Sequence, residues 1–192
     1  MWPWEHVAVA YLSYSLARRL STGTPPGGSD TAALVVASQG PDLIDKPLSW
    51  GLGVFPTGYA IGHSVLIAGP VGAVVIAVGY WKGRLRMASA VVLGYWSHLI
   101  ADVVSPLRSG DPLGYARVLW PLVTFPGYEA DLGIGRGWIY LVEFLSSFGS
   151  MDATTVFVKY LTLPVALLVL WVVDGAPGLR GLKRAGLAVR DW

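Results

Sequence analysis

Cysteine is absent from this 192-residue chain, so no disulfide staples it and no thiolate can hold a metal ion. The redox compartment is therefore left open. Charge is scarce: Asp, Glu, Lys and Arg make up 14% of the residues, where an ordinary soluble domain carries about 25%. Long stretches are left without it, because Ser64 to Trp81 and Met87 to Ser97 carry no formal charge, and Thr154 to Val173 carries only Lys159. About 20 apolar residues suffice to cross a bilayer. A buried helix of a soluble protein could explain one such run, but not this density of them. Basic runs interleaved with aromatics are missing too, and the formal net charge is only +2, so no nucleic-acid partner is expected. Internal repeats and low-complexity segments are likewise missing.

What is present is 54% hydrophobic, with nine tryptophans and a mean hydropathy of +0.54. This composition predicts an all-α fold: a polytopic membrane helical bundle forming a single integral-membrane domain over residues 1–192, with about five crossings, two of them short. The first helix is expected from His6 to Leu20. It should persist in the mature protein, since Arg18 and Arg19 follow its apolar part instead of preceding it. Asp30 is expected to cap a second helix from Thr31 that ends near Gly40-Pro41. Lys46 to Gly62 reads as a Gly- and Pro-rich loop. Helices from His63 to Trp81 and from Leu85 to Val104 follow. An irregular stretch from Ser105 to Gly137 then leads to a half-helix around Trp138 to Phe148. The last crossing runs from Thr155 to Val173, with a kink expected at Pro164.

Nine basic residues fall on one side of this topology (Arg18, Arg19, Lys82, Arg84, Arg86, Arg180, Lys183, Arg184 and Arg190), against five on the other. The basic side is expected to be cytoplasmic, with the amino terminus outside and the carboxyl terminus inside the cell membrane. Trp2, Trp4 and Trp138 then mark the outer interface, and Tyr80, Trp81 and Trp171 the inner one.

All three histidines lie near carboxylates in this charge-poor chain. Glu5-His6 opens the first apolar stretch, Asp42 and Asp45 sit in Gly-Pro-Asp-Leu-Ile-Asp, and His63-Ser64 opens a helix. His98 and Asp102 form an H-x-x-x-D pair that shares one helix face. Ionisable groups inside a membrane are candidate functional residues by default. His6, Asp42 and His98 each lie 12 residues from a charged flank, which places them about 18 Å into a core about 30 Å thick. His63, 19 residues from Lys82, is expected nearer the outer surface unless its helix tilts. Imidazole and carboxylate suit zinc, manganese or iron, so His6, Asp42, Asp45, His63, His98 and Asp102 are the expected metal ligands. One or two divalent ions, zinc foremost, would match the buried negative charge. Asp45 or Glu143 is the candidate catalytic base, and Arg108 and Arg117 could meet a phosphate.

The ordered set of His6, Gly-Pro-Asp42-Leu-Ile-Asp45, Gly62-His63-Ser64, Gly94-Tyr-Trp-Ser-His98-Leu-Ile-Ala-Asp102 and Leu119-Trp120-Pro121 resembles the YdjM/YbcI-like inner-membrane proteins. The likeness covers roughly residues 1 to 125 and implies a membrane-bound metal-dependent hydrolase. Members often carry His-Arg-Gly before the His-Ser pair, where this chain has Thr57-Gly-Tyr-Ala-Ile-Gly62. The motif order is also similar to the zinc sites of phospholipase C and P1-type nucleases. That likeness implies one metal on Asp42 or Asp45, His63, His98 and Asp102, and a second helped by His6 and Asp102. The expected function is hydrolysis of phosphoesters such as phospholipid headgroups, with membrane lipids as partners. A non-catalytic metal-stabilised scaffold, or a transporter of divalent cations or protons, would use the same residues. The transporter is disfavoured by a cytoplasmic half without matching polar groups.

Overall fold

A computed structural model describes residues 1–179. The regular elements among these residues are all helical, with no strand. Helix α1 (Pro3–Thr22) starts with Pro3 in its first turn and Glu5 reaching back to the Trp2 amide at 2.6 Å, and it ends on Gly23 at positive φ. Helices α2 (Gly28–Ser38) and α3 (Gly40–Lys46) follow one another across Gln39, and α3 runs on into a π turn at Pro47–Gly51. Part of the stretch expected to be a loop is thus helical. The cap of α2 is Gly27, so Asp30 sits inside the first turn, where its charge still favours the helix N-terminus. Helix α4 (Val65–Trp81) and helix α5 (Leu85–Arg108) flank a tight turn at Lys82-Gly83-Arg84, with Gly83 at positive φ. A 3-10 turn at Gly114–Val118 precedes α6 (Arg136–Ser147). Finally α7 (Ala153–Val156) passes through a π turn (Phe157–Leu161) into α8 (Thr162–Val173). The π turn holds Tyr160, whose carbonyl the ring of Pro164 would otherwise meet in a regular helix.

Two described helical stretches are long and apolar enough to cross a membrane, Leu85–Leu107 and Ala153–Val173, while Val65–Trp81 is a shorter apolar helix. The first helix is long but carries Glu5, Arg18 and Arg19, and α2 has only 11 residues.

Helix α5 is the central post, packing on α1, α2, α3 and α4. Small residues let the backbones close in. A Cβ on Gly94 would stand 2.6 Å from the Leu34 carbonyl oxygen, and one on Gly79 would stand 2.3 Å from the Ala88 Cβ. One core joins Ala10, Tyr11, Tyr14, Leu34 and Ala90, covered by Leu167, Leu170 and Trp171 of α8. A second joins Ala68, Leu99 and Val118. At the end of the bundle where Arg18, Arg19 and Arg86 gather, Tyr14 donates to the Arg86 carbonyl at 3.2 Å. There Asp174, just past α8, accepts hydrogen bonds from Tyr11 (2.8 Å), Ser15 (2.6 Å) and Arg19. Arg180, Lys183, Arg184 and Arg190 lie outside the described residues.

Candidate metal centre

Between the two cores a polar cluster gathers from the start of α1, the end of α2, α3, the turn before α4 and the C-terminal half of α5. Proximity in this cluster comes from different local causes. The α-helical spacing of His98 and Asp102 brings His98 Nε2 to 3.5 Å from Asp102 Oδ2. His6, one turn into α1, lies flat on His98, with ring centroids 3.7 Å apart, and its Nε2 is 3.4 Å from Asp102 Oδ1. The terminal ammonium of Met1 stands 3.6 Å from the same oxygen. Asp42 enters from the first turn of α3, with Lys46 four residues on paired to its Oδ2, so that Oδ1 faces the histidines.

His63 is not in a helix at all. It occupies the turn before α4, whose N-cap is Ser64, and from there it joins the other site residues. Asp45 sets that turn. Its fully buried carboxylate accepts the amides of Ala60 (2.8 Å), Gly62 (2.8 Å) and His63 (3.0 Å), and also His63 Nδ1 at 2.8 Å. Tyr95 donates to the Gly62 carbonyl and Ser64 to the Trp120 carbonyl, fixing the turn to α5 and to the segment after the 3-10 turn.

These second contacts decide which nitrogen faces the cluster. His63 gives its Nδ1 proton to Asp45, and His98 gives its own to the Ser38 carbonyl at 2.6 Å. Each then presents an Nε2 lone pair inward. The two Nε2 atoms are 3.3 Å apart, an arrangement that needs a cation between them, either a proton or a metal ion. Distances separate the two. His63 Nε2 is 3.5 Å from Asp42 Oδ1 and 3.4 Å from Asp102 Oδ2, and His98 Nε2 is 3.8 Å and 3.5 Å from the same atoms. Hydrogen bonds to oxygen are usually about 2.7–3.2 Å long. Donors at about 2.0–2.1 Å from a tetrahedral ion lie about 3.3–3.4 Å from each other. The spacing is therefore compatible with a metal ion held by Asp42, His63, His98 and Asp102. Two three-residue groups suited to an ion can be drawn, His6-His98-Asp102 and Asp42-His63-His98, and both use His98.

Burial supports the same view. The three histidines are at most 1% exposed, and Asp42, Asp45 and Asp102 stand among them with Lys46 and the terminal ammonium as their only cationic partners among the described residues. Lys46 compensates Asp42 and four donors satisfy Asp45, which leaves Asp102 with the weakest cationic partner, and a buried carboxylate without a good one costs on the order of several kcal/mol.

Of the residues expected from the sequence, His6, Asp42, His63, His98 and Asp102 meet. Asp45 belongs to neither metal group; its oxygens are occupied by donors, and it orients His63. Glu143 is set apart, exposed on α6. Its neighbour Phe144 turns inward and packs at a tilt against Trp2 (centroids 4.3 Å) and Trp4 (5.7 Å), which swings Glu143 about 100° around the helix. The Arg108 side chain lies outside the described residues. Sequence reasoning missed Ser38, whose carbonyl has no residue signature, and Lys46, which the i, i+4 spacing from Asp42 could have revealed.

Residues 1–176 match the YdjM inner membrane protein family. The chain belongs to that family. It is accordingly an inner-membrane protein, and the match extends well past the motifs that carried the resemblance in sequence. No curated protein and no solved structure matches it.

Proposed function

We propose that this YdjM-family protein is a metal-dependent hydrolase acting on phosphoesters at the membrane, lipid headgroups among them. The observation that carries this reading is the meeting of two buried imidazole nitrogens, 3.3 Å apart and held in the metal-binding tautomer by Asp45 and Ser38, with carboxylate oxygens of Asp42 and Asp102 that lie 3.4–3.8 Å from them. His63 and His98 with Asp42 and Asp102 would hold the ion, zinc by its donor preference. When bound, such an ion polarises a substrate oxygen and acidifies water. The chain's own residues do the rest. Asp45 locks the His63 ring, and Lys46 turns Asp42 Oδ1 inward. His6, with Nδ1 buried and unpartnered, stacks on His98 and presents Nε2 to Asp102 Oδ1, where a second ion or a proton could be handled. Asp102 Oδ1 is the carboxylate oxygen best placed to accept a proton, since Asp45 is saturated and Glu143 is exposed on α6.

The topology that suits this reading has α1, the α2–α3 pair, α4, α5 and the α7–α8 helix as five crossings of one domain. The Arg18, Arg19, Lys82, Arg84 and Arg86 end is cytoplasmic, and the metal centre opens toward the outer leaflet. A non-catalytic role for the ion is favoured by one observation: the cluster is buried and ties α1, α2, α3 and α5 together. Purified protein in detergent separates the two. Hydrolysis of a phosphodiester that is lost on chelation, restored by zinc and absent in His98→Ala supports the enzyme. Metal bound stoichiometrically with no turnover on soluble or lipid phosphodiesters leaves the scaffold.

A further inference from the structure

A line of three side chains leads outward from the metal centre. The Tyr59 ring stands edge-on to His63, with centroids 5.0 Å apart at 70°. Arg117 Nη1 donates to the Tyr59 hydroxyl at 3.0 Å, and the guanidinium carbon lies 5.1 Å from the Tyr59 ring centroid. Arg117 is thus held one aromatic ring away from a metal-binding imidazole. Its backbone is fixed as well. Ala116 and Val118 on either side of it are buried, Val118 packs with Ala68 and Leu99, and Ser64 beside His63 donates to the Trp120 carbonyl. A Cβ on Gly114 would meet Pro106 at 2.8 Å, so the 3-10 turn sits hard against α5.

The charge on Arg117 is little used. Its acidic partner Asp111 is 3.7 Å away with a 43% exposed side chain, a weak and screened pairing. Tyr59 takes one of the five N–H groups of the guanidinium fork, and its own hydroxyl proton has no acceptor among the described residues. Two sets of donors therefore stand beside His63. Meanwhile Asp42 and Asp102 would repel an incoming anion in this low-dielectric setting. A neutral ester or amide needs no such cation; a phosphate does, and its oxygens match the planar fork.

We infer that Arg117, positioned by Tyr59, is the specificity-determining residue that binds the non-bridging oxygens of an anionic phosphoester at the metal centre. This rests on the hydrolase reading above and narrows its substrate to a phosphate-bearing anion, free or on a lipid. The test compares wild type, Arg117→Gln, Arg117→Lys and Tyr59→Phe, each zinc-loaded in detergent. Metal content is measured by elemental analysis and inorganic phosphate affinity by titration calorimetry. Turnover is followed on bis(p-nitrophenyl) phosphate, on p-nitrophenyl acetate and on phospholipid in mixed micelles. Arg117→Gln should keep its metal, bind phosphate about ten- to a hundredfold more weakly, and lower the phosphodiester-to-acetate ratio of kcat/KM by a similar factor. Arg117→Lys, which keeps the charge but loses the fork, should recover only part of this, and Tyr59→Phe should lie between it and wild type. Turnover confined to micelles would assign the anion to a lipid headgroup, with the same Arg117 dependence. Unchanged phosphate affinity in Arg117→Gln, or acetate turnover falling in parallel, overturns the inference while the hydrolase stands. Arg117-dependent phosphate binding with no turnover by wild type overturns the hydrolase and leaves an anion site.

Discussion

Replacing Asp45 by Asn separates orienting a ligand from being one. The wild-type carboxylate accepts three backbone amides and His63 Nδ1 within 2.8–3.0 Å, with no exposure to solvent. Asparagine offers one acceptor oxygen and must turn its NH2 toward at least one of those donors. Each buried donor left unpaired costs about 1–3 kcal/mol, so the turn before α4 should loosen measurably. Losing the partner of a metal-binding imidazole typically lowers metal affinity about ten- to a hundredfold, equivalent to about 1.4–2.7 kcal/mol. Competition of a chromogenic chelator for zinc at neutral pH would read this shift, with elemental analysis giving the stoichiometry. The expected result is a weakened but still stoichiometric site in Asp45→Asn, against loss of the ion in His98→Ala. Affinity equal to wild type would refute the orienting role. Complete loss of the ion, in a variant that keeps its helical circular dichroism, would refute it from the other side and make Asp45 a ligand.

Chelation should lower the apparent unfolding midpoint in detergent. An ion at about 100 times its Kd contributes about 2.7 kcal/mol, or roughly 5–10 °C for a chain of this size; no shift on chelation would argue against a bound ion. Asp174→Ala should strand the buried hydroxyls of Tyr11 and Ser15 and release Arg19, destabilising by about 2–4 kcal/mol in denaturant titration; a cost under about 0.5 kcal/mol would show that the latch is idle. Burial pulls the Asp174 pKa up, but hydrogen bonds from Ser15, Tyr11 and Arg19 outweigh it and hold the carboxyl below its usual range. A folded pKa below the unfolded value means the latch is fully formed at neutral pH. Its contribution should fade as pH falls below about 4, through the folded pKa, and the wild-type and Asp174→Ala midpoints should converge there. Gly94→Ala should push α2 from α5 against the Leu34 carbonyl, costing about 1–3 kcal/mol and weakening metal binding through Ser38; unchanged stability would contradict so close an approach.

The helices were legible because charge-free runs and punctuating glycines and prolines act locally. Leu85 and Trp81 bound their helices where the sequence places them, while α2 and α3 blur because Gln39 interrupts the pair without a strong breaker. Crossing number was less legible: the charges of α1 and the shortness of α2 leave length and apolarity undecided for the first half of the chain. Among site residues, His98 and Asp102 were visible as a pair because a helix fixes their spacing. His63 was expected to open a helix because a helix start and the turn before one look alike in sequence, and the difference lies in the Asp45 carboxylate gathering amides 15 to 18 residues away.

Sequence alone therefore determined the helical class, the membrane setting and the inventory of imidazoles and carboxylates, since these follow from composition and local periodicity. It could not assign roles within the inventory. Asp42 and Asp45 share one motif, yet one faces the cluster and the other holds His63 from behind. Glu143 is as acidic as either and sits outside, and Arg117 reaches Tyr59 across 58 residues. Those outcomes depend on which side of a helix or turn meets α5, a matter of packing between segments that are distant in the chain, and only the folded bundle decides it.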